Sequence, residues 1–321
     1  MTYFAIFLIA FLTSAISTWF VVKFGKYLGV IDDPATHPLP KVVHKYPVPR
    51  GGGLAIFVAM SVATLIFLPF SLKLAVILLT CLILVVVGLL DDRSPEGISP
   101  YWRAGINILV ALLIVGVGIQ VNFVTNPLGG TIYFPDLIAK VLTVMWLVWM
   151  QNIVGWSSGV DGQLPGFVII AALTMAALAA RFTHDPQQIL VIGLAIATAG
   201  SYLGFLPFNW YPQKIMPGYG GKSLAGFLLG VLAILSVAKV GALLMVLGLP
   251  VIDAALVIVK RIREGRSPVW GGYEHFHHYL LDHGWGRRRI ALLYWSVSAT
   301  LAVLALRLNS SSKYFTMVAV G

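Results

Sequence analysis

Long apolar runs alternate with short polar connections from one end of the chain to the other, and that alternation sets the architecture. Ten runs, at approximately residues 2–22, 51–70, 72–92, 102–121, 137–156, 164–182, 187–207, 223–239, 241–260 and 289–307, come close to the length that a helix needs to cross a membrane. That length is about 20 residues for a hydrocarbon core of roughly 30 Å. The pattern predicts an all-α integral membrane protein with about ten transmembrane helices. Residues 308–321 open a further apolar stretch that is too short to complete a span. Neither an internal repeat nor a separate soluble domain interrupts the pattern, so residues 1–321 read as a single polytopic domain.

Composition agrees with this. Hydrophobic residues make up 59% of the 321 positions and charged residues 11%, with mean hydropathy +0.89; a soluble domain is about one quarter charged. The lone cysteine, Cys81, lies inside an apolar run and excludes an intramolecular disulfide or a cysteine-rich metal site. A net charge of +10 does not point to nucleic acid, because the cations sit in short loops beside apolar runs. Anionic membrane lipids, phosphate substrates and topology account for them better.

The first run has no basic residue before it and no small-residue cleavage site, and Lys23 and Lys26 follow it. This predicts an uncleaved span with its N-terminus outside. Counting from there, sixteen of the 22 Lys and Arg residues fall on inward loops, Lys41 and Lys45 among them, and Lys73, Lys140, Arg181, Lys239, Arg307 and Lys313 make up the outward minority. Such a bias marks the cytoplasmic side. On that side also lie His44, Asp91, Asp92, Asn152, Asp161 and Lys214, together with a polar island from Lys260 to Arg289. The island carries seven cations (Lys260, Arg261, Arg263, Arg266, Arg287, Arg288 and Arg289) and four of the seven histidines. The expectation is one cleft at the cytoplasmic face of the inner membrane that receives a phosphate-bearing anion.

Several stretches carry candidate chemistry. Asp91 and Asp92 end the third run, where a helix C-terminus disfavours carboxylates and asks for a compensating cation. Adjacent helical residues point about 100° apart, so two different jobs suit the pair better than symmetric chelation of one ion. One carboxylate could serve a divalent metal and the other a proton or nucleophile. Asn152 and Asp161 bracket a glycine-rich turn. Pro217 to Ser223, PGYGGKS, opens the eighth run, where free amides and Lys222 could meet a phosphate; its spacing is not that of a Walker loop. Asp253, within the ninth run, reads as structural or as support for a site residue. His275, His277 and His278 lack the spacing of a helical zinc site, and neutral or protonated imidazoles suit phosphate or uracil oxygens.

Taken in order, KVVHKYPVPRGGGLAIF, GLLDD with ISPYWR, GFLPFNWYPQKI, PVIDAALVIVKRIREGRSP and HFHHYLLDHGW resemble the corresponding stretches of the polyprenyl-phosphate N-acetylhexosamine-1-phosphate transferases, over residues 40–290. The resemblance implies transfer of a sugar-1-phosphate from a UDP-N-acetylhexosamine to polyprenyl phosphate, with release of UMP and with Mg²⁺ or Mn²⁺ as cofactor. The HxHH form resembles the N-acetylglucosamine-1-phosphate branch more than the muramoyl-pentapeptide branch.

Residue by residue, the resemblance implies that Asp91 and Asp92 are catalytic. Asp91, Asp92 and Asp161 would hold the metal, and His44, Asn152, Lys214, Lys222, His275, His277 and His278 the substrates. Members of the family are often homodimers. Four positions depart from the pattern: Tyr219 and Ser158 stand where the family has aspartates, Lys222 where it has a serine, and Gly155 where it has an asparagine. A silent homologue that binds lipid phosphate or nucleotide as a scaffold is the alternative these departures suggest. A transporter would call for paired broken helices in two halves, which the sequence does not display.

Overall fold

The apolar runs become helices because no water is available in a bilayer to satisfy the backbone, and a helix pairs its own amide and carbonyl groups. The computed structural model describes residues 1–35, 44, 46–94, 97–126, 130–236, 240–267 and 272–308. Lys41, Lys45, Lys239, Lys313 and the stretch 309–321 lie outside the described residues.

Each of the ten expected runs carries a helix, and together they form a multi-pass membrane protein. Among the described residues seven helices are long and apolar enough to cross a bilayer: α1 (Thr2–Phe24), α3 (Leu72–Arg93), α5 (Asp136–Trp156), α6 (Gln163–Ala179, counted with the turn that follows it), α7 (Pro186–Asn209), α8 (Gly218–Leu235) and α12 (Arg287–Arg307). A single 3-10 turn over Ala180–Phe182 extends α6. Two of the ten are shorter than expected. The helices α2 (Gly52–Phe67) and α4 (Pro100–Gly116) have 16 and 17 residues, about 24–26 Å at ~1.5 Å per residue. The ninth run is broken into α9 (Val240–Val246) and α10 (Gly248–Arg263), which meet at 85°; paired, they raise the count of spans to eight. One helix was not expected, α11 (Phe276–Asp282), within the polar island.

Two short antiparallel ladders complete the architecture. β1 (Ile31–Asp32) pairs with β2 (Val48–Pro49), and β3 (Phe123–Thr125) pairs with β4 (Thr131–Tyr133) between α4 and α5.

Glycine sets how closely the helices approach. In α7, Gly200 and Gly204 lie against the α1 backbone at Phe7 and Phe11, where a Cβ would overlap the carbonyl oxygens. This is the small-residue spacing that lets membrane helices touch. The same device brings α8 against α2 at Gly53, against α3 at Gly88 and against α5 at Gly226. As a result α8 is the central helix, with 89% of its apolar window buried, against 28% for α1 on the outside of the bundle.

These contacts bring together the C-terminal ends of α3, α5 and α7 and the N-terminal ends of α2, α4, α6, α8 and α12. Gly155 packs on Lys222, Gly162 on Trp210, and Gly53 on Gly221. One end of the bundle therefore gathers the loops that the charge pattern assigns to a common side.

Candidate active site

Asp91 and Asp92 are both buried, and their surroundings differ, as a 100° separation on a helix requires. Asp91 Oδ1 accepts from Ile98 N at 2.7 Å and from Arg103 Nε at 2.9 Å and Nη2 at 2.5 Å. Arg103 is thus the compensating cation that a carboxylate at a helix C-terminus calls for. Asp92 turns the other way, toward the first turn of α8, where Oδ1 accepts from Tyr219 N at 3.1 Å. Gly218 makes that approach possible. It has φ +67°, and a Cβ there would collide with Asp92 Oδ2 and Arg50 O. The α8 N-terminus, whose free amides could meet a phosphate, gives one of them, that of Tyr219, to this carboxylate.

Tyr219 also links α8 to α4. Its ring lies 5.0 Å from the Arg103 guanidinium, and its hydroxyl donates to Asn107 Oδ1 at 3.1 Å. Ser223, one turn further along α8, donates to Gln151 Oε1 at 2.8 Å.

Lys222 joins this half of the site to the histidine half. It lies within electrostatic reach of both Asp92 and His277, and its Cβ packs near Gly155 at the end of α5. His277 in turn sits so close to Gly159 that a Cβ there would overlap the imidazole. The aspartate pair and the triple imidazole segment therefore lie at the same end of the bundle, with Lys222 between them.

The histidine segment is held at both ends. Asp253 on α10 accepts from Phe276 N at 2.8 Å and meets His275 Nδ1 at 3.0 Å. Tyr273 stacks on His278 at 4.0 Å between ring centroids and donates to Asp282 at 3.0 Å. Burial pushes His277 well below the ordinary histidine range, helped by the neighbouring His278, His275 and Lys222. Burial likewise pushes His278 down to about 4, with His275 adding to the effect. Burial thus favours the neutral form of both imidazoles. Their Nδ1 atoms are buried with no hydrogen-bond partner among the described residues. Buried polar atoms are normally satisfied, so these two suit a hydrogen-bonding ligand.

The other expected residues are spread around this end of the bundle. Asp161 is buried in the turn before α6, where Arg287 Nη1 lies 3.4 Å from each of its oxygens and Gln213 N donates at 3.3 Å. Burial raises its pKa, opposed by Arg287. Asn152 turns its amide back to Val148 O on its own helix at 2.7 Å. Lys214 is exposed. His44 is buried 3.6 Å from Asp32, which is itself paired with Arg50 at 2.6 Å across the β1–β2 ladder, and burial lowers its pKa.

The basic island is also less free than its sequence suggests. Arg261 and Arg266 both bind Glu274, with Lys260 at 4.0 Å, and Arg266 binds Glu264 as well. These partners hold Glu274 down to about 2.

Asp91, Asp92 and Asp161, expected to hold a divalent cation, have different neighbours. Among the described residues no group of three metal-ligating side chains converges, and Asp91 and Asp161 each face a guanidinium instead. Sequence reasoning names Arg287 within the basic island but does not single out Arg103 or Arg50 as partners of buried carboxylates. For Arg103 a signal existed, since ISPYWR places it twelve residues after a carboxylate in need of a cation.

Comparison with known proteins agrees with this layout. Residues 74–237, just over half of the chain, match the profile described as glycosyl transferase family 4. A probable undecaprenyl-phosphate N-acetylglucosaminyl 1-phosphate transferase of Bacillus subtilis is 27% identical, covering 97% of this chain and 86% of its own length. A decaprenyl-phosphate N-acetylglucosaminephosphotransferase of Mycolicibacterium smegmatis is 29% identical, over 88% of this chain and 77% of its own length. A phospho-N-acetylmuramoyl-pentapeptide-transferase of Bacillus subtilis is 29% identical over 94% of both chains. With apolar helices converging on a buried acidic pair and an imidazole segment, and with that profile spanning the helices α3 to α8 that build the acidic half, the chain belongs to glycosyl transferase family 4.

Proposed function

We propose that this protein transfers N-acetylhexosamine-1-phosphate, most favourably N-acetylglucosamine-1-phosphate, from a UDP-sugar to undecaprenyl or another polyprenyl phosphate, releasing UMP at the first membrane step of envelope glycan synthesis. The observation that carries this reading is the place of Lys222 in the first turn of α8: the same turn gives the Tyr219 amide to Asp92, and Lys222 packs beside Gly155, four residues before the Gly159 on which His277 rests. The names of the relatives in Bacillus subtilis and Mycolicibacterium smegmatis support the N-acetylglucosamine donor over the muramoyl-pentapeptide one. The proposed setting is the inner membrane, with the cleft facing the cytoplasm and the N-terminus outside; sixteen of 22 Lys and Arg on that side support it.

In the reaction, an oxygen of the lipid phosphate attacks the sugar-bearing phosphorus of the donor. A new P–O bond forms as the bond to the UMP oxygen breaks. The nucleophile is already an anion, so the protein contributes alignment and charge neutralisation. Lys222 is positioned to meet the negative charge that gathers between attacking and leaving oxygens. Asp92 is the carboxylate available to take the proton from a singly protonated lipid phosphate. The neutral His277 and His278 hydrogen-bond the UMP side. Among the described residues Asp91 and Asp161 are paired with arginines and do not converge with Asp92 on one point.

The test is an assay of the purified protein with UDP-N-acetylglucosamine and polyprenyl phosphate, with and without Mg²⁺ or Mn²⁺. Lipid-linked sugar phosphate and stoichiometric UMP are expected. No product with any UDP-N-acetylhexosamine, in a detergent where a relative is active, would overturn the reading.

A further inference from the structure

The pair Asp91 and Arg103 is built more elaborately than a surface ion pair. The guanidinium sends two nitrogens to a single carboxylate oxygen, and that oxygen already accepts the Ile98 amide. Gly97, with φ +74°, curls the loop over the same group, close enough that a Cβ would lie 2.6 Å from Arg103 Nη2. On its other side the guanidinium rests on the Tyr219 ring at 5.0 Å. The phenol is itself fixed, since its hydroxyl donates to Asn107, one helical turn beyond Arg103 on α4. A neutral, half-buried phenol is a poor ligand for a hard divalent cation, yet its face attracts a guanidinium. The same residue gives its backbone amide to Asp92.

We propose that Arg103, braced on Tyr219, is the built-in counter-charge of the acidic pair, so that Asp91 serves as a guanidinium-paired carboxylate rather than a cation ligand. Tyr219 is then the positioning residue for both carboxylates, at Asp91 through its ring under Arg103 and at Asp92 through its amide. The use of this fixed charge, to meet the lipid phosphate beside Asp91, rests on the transferase reading; the pairing itself does not.

The test is Mn²⁺ binding to the purified full chain in detergent, followed by electron paramagnetic resonance of free Mn²⁺, with no substrate present. In the otherwise wild-type protein, Asp91→Asn is expected to change Mn²⁺ affinity by less than twofold. Arg103→Gln is expected to tighten it at least tenfold, and the double variant Arg103→Gln with Asp91→Asn to abolish that gain. A tenfold or larger loss of Mn²⁺ affinity on Asp91→Asn alone would overturn the proposal, and this comparison stands even where Arg103→Gln does not fold. If the Mn²⁺ results come out as expected while the wild type transfers no sugar phosphate, the pairing holds and the transferase reading fails.

Discussion

Asp253 and His275, 22 residues apart in sequence, meet at 3.0 Å between Oδ2 and Nδ1, while the other oxygen of Asp253 takes the Phe276 amide at 2.8 Å. One carboxylate thus ties the imidazole and the first turn of α11 to α10. A hydrogen bond to a charged group contributes about 1.5–3 kcal/mol. Asp253→Asn keeps an acceptor for Phe276 and removes the charge facing His275. The expected outcome is a tenfold to hundredfold fall in kcat/KM for the UDP-sugar, arising mainly in KM; steady-state kinetics checks it. An unchanged KM would leave Asp253 a purely structural tether.

The neutral imidazoles make stability depend on pH in a defined sense. His278 is held down to about 4 and His277 well below its ordinary value, whereas both titrate near 6.5 in the unfolded chain. Between these limits the unfolded state binds protons that the native state refuses, so stability falls as pH drops from 6.5 toward 4. His278→Asn should flatten the slope of melting temperature against pH in that window. Asp161, raised by burial, acts with the opposite sign just above its unfolded value, and its contribution is common to both proteins in the comparison. Thermal melts in detergent give the answer.

Gly159 leaves no room for a side chain beside His277, because a Cβ there overlaps the ring. Gly159→Ala must displace the imidazole, and overpacking of this kind costs about 1–3 kcal/mol. A weaker UDP-sugar affinity is expected, by roughly tenfold, with little change in the response to lipid phosphate. Calorimetric titration with the two substrates separately distinguishes this from general loosening, which would weaken both.

Gly88 offers the contrast. A Cβ at Gly88 overlaps the α8 backbone at Gly220, and a helix backbone cannot yield as a side chain does. Gly88→Ala is expected to separate α3 from α8, lowering the melting temperature and drawing both carboxylates away from the cleft. A stable, fully active Gly88→Ala protein would mean that the close approach of α3 and α8 is dispensable.

Lys222 bridges the two halves by charge. Lys222→Met is expected to lower kcat/KM at least a hundredfold, and Lys222→Arg to recover part of the loss, because the position needs charge while the cleft is shaped for an ammonium. Transfer assays on the two variants, with melting curves as a folding control, test this.

The apolar spacing by itself determined ten helical segments, their order and their approximate ends, because a bilayer leaves a long apolar run only the helix as a way to satisfy its backbone. The alternation of loops likewise determined that Asp91, Asp92, Lys222 and the histidine segment share one end of the bundle. Only the tertiary structure decided who pairs with whom at that end. Arg103 went to Asp91, the Tyr219 amide to Asp92, Arg287 to Asp161 and Glu274 to the arginines of the basic island. A charge in sequence announces that it needs a counter-charge without naming one; the choice falls to glycine contacts that fix how near α3, α4 and α8 come, and to the break between α9 and α10 that brings Asp253 under His275.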